Sequence, residues 1–211
     1  SNENALKQPW RDLEDLILEV KIGQGIVNVG YYAFSHCDNL QKITLPDTLK
    51  SIGSGAFEYC RNIDAVVFPD NLKSIGNSAF LECEALQDIV LPLGLENIYD
   101  RAFYQCKSLK FIEIPQSVKE VGLYAFSECS NLESVIINGG YILTSAFGNC
   151  EKLNKIQLGK AYKSSGSENG RAYFINSFAN SNNVTNISGY CGENITWNLT
   201  GSLTDGYTIA I

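Results

Sequence analysis

The chain repeats itself every 23 residues. The Ala-Phe pair stands at Ala33-Phe34, Ala56-Phe57, Ala79-Phe80, Ala102-Phe103 and Ala125-Phe126, and a cysteine follows each at the same offset: Cys37, Cys60, Cys83, Cys106 and Cys129. Pro46, Pro69, Pro92 and Pro115 keep the same step, and another copy, Ala146-Phe147 with Cys150, arrives two residues early. A unit this short cannot bury its apolar face alone, so stacked copies must share one interior, which makes a solenoid. Like positions then fall in columns, and the columns of Ala, Phe, Cys and Leu are core.

Each unit divides into two halves. In the first, Ala79, Cys83 and Leu86 fall at i, i+4 and i+7, which predicts a short helical turn. Gly76 is expected to serve a backbone turn at positive φ, with Asn77 or Ser78 capping the helical turn after it. Gly30, Gly53 and Gly122 are its equivalents, whereas Tyr99 takes that place once, where a different turn is expected. The second half, Ile89-Val90-Leu91-Pro92, reads as a strand with Ile89 and Leu91 inward, closed by a proline that has no N–H for the ladder.

Residues 1–26 are a lead-in and cap. Ile17, Val20 and Ile22 lie one step behind Leu40, Ile43 and Leu45, which predicts a strand in register; Pro9 suits the start of a short helix, and Pro9-Trp10 is placed over the open end of the core. Residues 27–158 hold six regular coils. Residues 159–190 hold an insertion around Lys163–Gly170 and a degenerate seventh coil, with Phe178 in the Phe column, Ser181 for Cys, Val184 for Leu and Ile187 opening the strand. Residues 191–211 read as a β-hairpin, Ile195–Leu199 against Tyr207–Ile211, whose free edge invites pairing with another chain.

With 45% hydrophobic residues among 211, the chain can bury a sizeable core. Its net charge of −7 argues against a nucleic-acid partner, which needs a basic groove, and against docking on anionic lipid. No apolar run approaches the roughly 20 residues that span a bilayer. The sequence contains no Met and no signal-peptide pattern, so a processed product or a piece of something longer is expected. Six of the seven cysteines share one column, where parallel Cα–Cβ vectors would aim the sulfurs badly for bridging; reduced core thiols are expected, with Cys191 the odd one. That column has no second ligand type for a metal, and scattered Asp and Glu do not make a calcium loop. The single histidine, His36, reads as a packed or solvated side chain rather than a general base, and no nucleophile elbow, zinc-protease or phosphate-loop motif is present. No catalytic, cofactor-binding or metal residue is expected, and the chain is not read as an enzyme.

The pattern Ala-Phe-x-x-Cys-x-x-Leu-x-x-Ile-x-Leu-Pro-x-x-Leu-x-x-Ile-Gly resembles the BspA-like leucine-rich repeats, over residues 9–158 strongly and 177–187 weakly. Tyr99 for Gly, Ser181 for Cys, Asn138-Gly139-Gly140 in place of the proline turn, and the shortened sixth step depart from it. The resemblance implies an α/β solenoid: a horseshoe with short parallel strands on its concave face and short helical turns on its convex face. Right-handed crossovers are the rule for parallel strands so joined. It also implies a secreted or cell-surface bacterial protein of the adhesion type. In such proteins, segments like Cys191-Gly192-Glu193-Asn194-Ile195-Thr196-Trp197 open a further tandem module.

The strand face turned away from the core is the candidate binding surface. Period two points Ala65, Val67, Asp88, Val90, Phe111, Glu113, Ser134 and Ile136 outward, between Lys42 and Thr44 on one side and Lys155 and Gln157 on the other. An apolar centre with a polar rim is how recognition patches are built, although exposed strand positions favour Val, Ile and Phe for sheet propensity alone. Recognition of a host or neighbouring-cell protein through this face is the expected function. A spacer with no ligand, or an accessory module of a larger surface enzyme, are the alternatives.

Overall fold

The structure, a computed structural model, describes residues 8–159, 176–191, 195–202 and 206–210. The insertion around Lys163–Gly170 lies outside the described residues, as does the turn within the C-terminal hairpin. The chain is a parallel-strand β-solenoid. Each coil contributes one longer strand, one two-residue strand and a run of turns. The longer strands are β1 (Glu19–Lys21), β3 (Lys42–Thr44), β5 (Ala65–Val67), β7 (Asp88–Val90), β9 (Phe111–Ile114), β11 (Ser134–Ile137), β13 (Lys155–Leu158) and β14 (Asn186–Cys191). The short ones, β2 (Asn28–Val29), β4 (Ser51–Ile52), β6 (Ser74–Ile75), β8 (Asn97–Ile98), β10 (Glu120–Val121) and β12 (Tyr141–Ile142), form a second sheet in chain order.

Register follows the repeat. Val20 pairs with Ile43, Val66 with Ile89, and Ile112 with Val135, each one coil step apart. Inward residues of successive strands therefore superpose, and one continuous core runs from Val20 to Ile187. The Phe column is a stack of nearly parallel rings. Trp10, Phe34, Phe57, Phe80, Phe103, Phe126, Phe147 and Phe178 follow one another with centroids 5.1 to 5.4 Å apart. Trp10 closes the first end and donates Nε1–H to the Ala33 carbonyl at 2.8 Å. At the other end β14 runs parallel to β13 and is then joined antiparallel by β15 (Ile195–Ser202), which pairs with β16 (Gly206–Ala210).

The turn side is not helical, which corrects the helical-turn expectation. Apart from the 3-10 helix Arg11–Leu16 and two residues at Asn176-Ser177, the described residues there are turns. Two residues per coil flank the Phe at positive φ: Ser78 (55°) and Glu82 (56°) around Phe80, Arg101 (55°) and Gln105 (58°) around Phe103, and so along the chain. This alternation turns every second N–H outward to the next coil. Ser78 donates to the Asp100 carbonyl at 2.9 Å, Phe80 to Ala102 at 2.8 Å and Glu82 to Tyr104 at 2.8 Å. A helix would aim those N–H groups along its own axis and leave the coils unjoined on this side. The inward spacing of Ala79, Cys83 and Leu86 is thus a product of stacked turns.

Two glycine and capping expectations change with it. Gly76 is not among the positive-φ glycines; a Cβ there would lie 2.7 Å from the Ser54 nitrogen, so its role is close approach to the preceding coil. Tyr99 makes the same turn, donating to the Ile75 carbonyl at 3.0 Å as Gly76 does to Ile52 at 2.9 Å. Asn77 serves the next coil, accepting from the Asp100 N–H at 3.2 Å. The two residues missing from the sixth step are removed between β11 and β12. There Gly140 is at φ 85° and a Cβ on Gly139 would lie 2.5 Å from the Gln116 carbonyl oxygen.

Candidate functional site

The outward positions of the longer strands alternate with the core as period two requires. β5 and β7 read exposed–buried–exposed and β9 exposed–buried–exposed–buried. Register places Ala65 beside Asp88 and Val67 beside Val90, then Phe111 beside Ser134 and Glu113 beside Ile136. Val67 and Val90 are 83% and 82% exposed and Phe111 42%, whereas Ser134 and Ile136 are half-buried. Leu93, in the turn after β7, is 87% exposed and extends the same apolar surface. Sequence reasoning missed Leu93 because it looked only at strand positions. The available signal was that its counterparts one step away are Asp70 and Gln116, and two steps back Asp47.

The sheet is interrupted on this face. β7 ends one four-stranded sheet and β9 begins the next. A cleft of about 640 Å³ opens there, lined by Asp88, Val90, Leu93, Phe111 and Glu113 and, farther along, by Gln116, Asn138 and Gln157. Four of the eight expected site residues, Asp88, Val90, Phe111 and Glu113, thus meet in one depression. Ala65 and Val67 flank it in β5, and Ser134 and Ile136 lie in β11 outside its lining. Glu113 accepts a hydrogen bond from Asn138 Nδ2 at 2.7 Å. Among the described residues neither Asp88 nor Glu113 has a salt-bridge partner, while Glu19 at the first end of the face is paired with Lys21 (3.2 Å) and Lys42 (3.4 Å).

The other chemistry-bearing side chains are built into the scaffold. The six column cysteines are free and buried, and five donate Sγ–H to the Phe carbonyl of the preceding coil at 3.0 to 3.3 Å. Burial pushes the Cys83, Cys106 and Cys129 thiols well up and Cys150 up to about 12, and the neighbouring Cys37 thiol together with burial pushes Cys60 up. Such thiols are poor nucleophiles at neutral pH. Cys191 ends β14. His36 is exposed, at φ 62°, its ring stacked on Tyr59 at 4.4 Å. Among the described residues no cluster of His, Cys, Asp and Glu could hold a metal ion, and no helix is long and apolar enough to cross a membrane.

Comparison with known proteins agrees with this geometry. The sequence matches the BspA type leucine rich repeat region, in six copies, over residues 14–133 and 96–202. A leucine-rich repeat protein from Bacteroides ovatus is 32% identical, with a TM-score of 0.59, over 67% of this chain and 37% of that one. The chain therefore spans little more than a third of the Bacteroides protein. The leucine-rich repeat protein of T. pallidum is 30% identical with a TM-score of 0.61, over 67% of this chain and 72% of that one. A leucine-rich cell surface protein from Faecalibacterium prausnitzii, 21% identical with a TM-score of 0.50 over 80% of this chain and 60% of that one, shares the fold. No curated protein matches the chain significantly. The repeat, the stacked core and these matches together place the chain in the BspA-type leucine-rich repeat family.

Proposed function

We propose that this chain is a non-catalytic protein-recognition module of a secreted or cell-surface bacterial protein, and that it binds a host or neighbouring-cell protein through the outer face of its longer strands. In this reading the solenoid is a right-handed horseshoe, that face is its concave side, and the C-terminal hairpin opens a further module. The observation that carries the reading is the exposed apolar surface of Val90, Leu93 and Phe111 in the cleft, with Val67 exposed beside it. The column thiols are buried and the single histidine is stacked on Tyr59, and the Faecalibacterium protein of the same fold is described as a cell surface protein. Interfaces of this kind concentrate their binding energy in a few central apolar and aromatic side chains with a polar surround.

The test is the pair Val90→Lys with Phe111→Asp. Both side chains are exposed, so the melting temperature should move by no more than about 2 °C, the scale of an ordinary surface substitution. Saturable capture of a surface protein by the immobilised module should be lost. Normal capture by the double variant would refute the assignment of this face. Absence of saturable binding by the unmodified module would favour a spacer.

A further inference from the structure

The cleft at the break between β7 and β9 has a lining that restricts what fits. Part of the lining is apolar, with Val90, Leu93 and Phe111 all exposed. Asp88 and Glu113 stand in the same lining, and among the described residues no Lys, Arg or His pairs with either. The one hydrogen bond that Glu113 accepts from Asn138 leaves further lone pairs on its carboxylate. The lining continues from Asp88 in β7 to Gln157 in β13. That is three coil steps, roughly 14 Å at the spacing of neighbouring strands, or about four residues of extended chain. A cleft of this length, with two uncompensated carboxylates beside apolar side chains, is complementary to a peptide of opposite charge.

On the reading that this face is the recognition surface, we propose that the cleft takes an extended segment of the partner protein carrying Lys or Arg. The basic side chain sits between Asp88 and Glu113, and a neighbouring apolar side chain rests on Val90 and Leu93. A cation held there gains from both carboxylates, and the adjoining apolar contact keeps water from the pair, which raises its worth above that of an open surface ion pair. Gln157, at the far end, offers its amide group to the backbone of the same segment, while Asn138 holds the Glu113 carboxylate.

The proposal is tested by selecting a phage-displayed library of random linear heptapeptides on the intact module. Enriched peptides should carry Lys or Arg next to an apolar residue. Their binding should fall about tenfold or more in the Asp88→Asn, Glu113→Gln protein, and should weaken as salt rises to about 0.5 M. Far-UV circular dichroism should be unchanged, since both carboxylates are exposed. Enriched peptides without a basic residue, equal binding to the amide variant, or no enrichment at all would each overturn the proposal. The Val90→Lys, Phe111→Asp protein separates the two readings. Peptides that lose binding to it but keep binding to the amide variant leave the face standing and remove the basic segment. Peptides indifferent to both pairs remove the face as well.

Discussion

At the residue scale, the cysteine column has a reason beyond size. Each Sγ from Cys60 to Cys150 donates to a Phe carbonyl one coil back, and in the degenerate coil Ser181 Oγ makes the same bond to Phe147 at 2.7 Å. The position therefore asks for a small side chain with one proton to give, and serine meets the requirement where the repeat decays. Cys106→Ser should cost less than about 1 kcal/mol, because the donor is kept. Cys106→Ala should cost about 1–2 kcal/mol through the lost bond and a small void. Equilibrium urea unfolding of the two variants measures the difference, and equal losses would show that the thiol acts by volume alone. The left-handed residues show the limit of reading composition. Gly55 takes such a site at φ 64°, but Ser78, Glu82, Arg101, Gln105, Tyr124 and Glu128 do so as well. Each accepts a cost of about 1–2 kcal/mol that the inter-coil hydrogen bonds offset. Nothing in those side chains announces the conformation.

At the element scale, the unit is a turn run whose hydrogen bonds leave the coil that makes them, so an end coil depends on what covers it. Trp10 covers Phe34 at 5.3 Å and bonds the Ala33 carbonyl, while Arg11 reaches the Ser35 carbonyl at 3.0 Å and Asn39 Nδ2 the Asp15 carbonyl at 2.7 Å. Trp10→Ala removes a stacked ring and a buried-end hydrogen bond, an expected loss of about 2–3 kcal/mol. The loss should be local. Amide exchange should quicken at Phe34 and His36, which donate to Ala56 and Glu58, and remain slow at Phe103 and Gln105. Uniform acceleration along the chain would instead mean that the coils unfold as one unit. The short step was legible as a two-residue loss before Ala146. Asn138-Gly139-Gly140 already marks the altered turn in the sequence, but the close approach of Gly139 to the Gln116 backbone was not legible there.

At the scale of the whole molecule, five thiols with raised pKa stand in one column along the solenoid axis. The sign of their linkage is fixed: a group held protonated in the folded state contributes stability that is full below its unfolded pKa, near 8.5, and is lost as pH rises from there toward its folded value. Urea midpoints should be flat from pH 6 to 8 and decline above about 8.5, each thiol removing about 1.4 kcal/mol by pH 9.5. Replacing Cys106 and Cys129 together by serine should make that decline shallower; an unchanged profile would exclude the column as its source. What the sequence determined by itself is the period, the register and the identity of the core columns, because a unit too small to bury its own apolar face can only satisfy it against a copy of itself in step. The outward set Ala65 to Ile136 was legible for the same reason, since strand alternation leaves no other side for it. Only the tertiary structure decided that the turns are stacked left-handed pairs and not helices, that the strand ladder breaks between β7 and β9, and that Leu93 joins Val90 beside Asp88 and Glu113. Those outcomes depend on how the backbone of one coil meets the backbone of the next, and that contact is written in no single repeat.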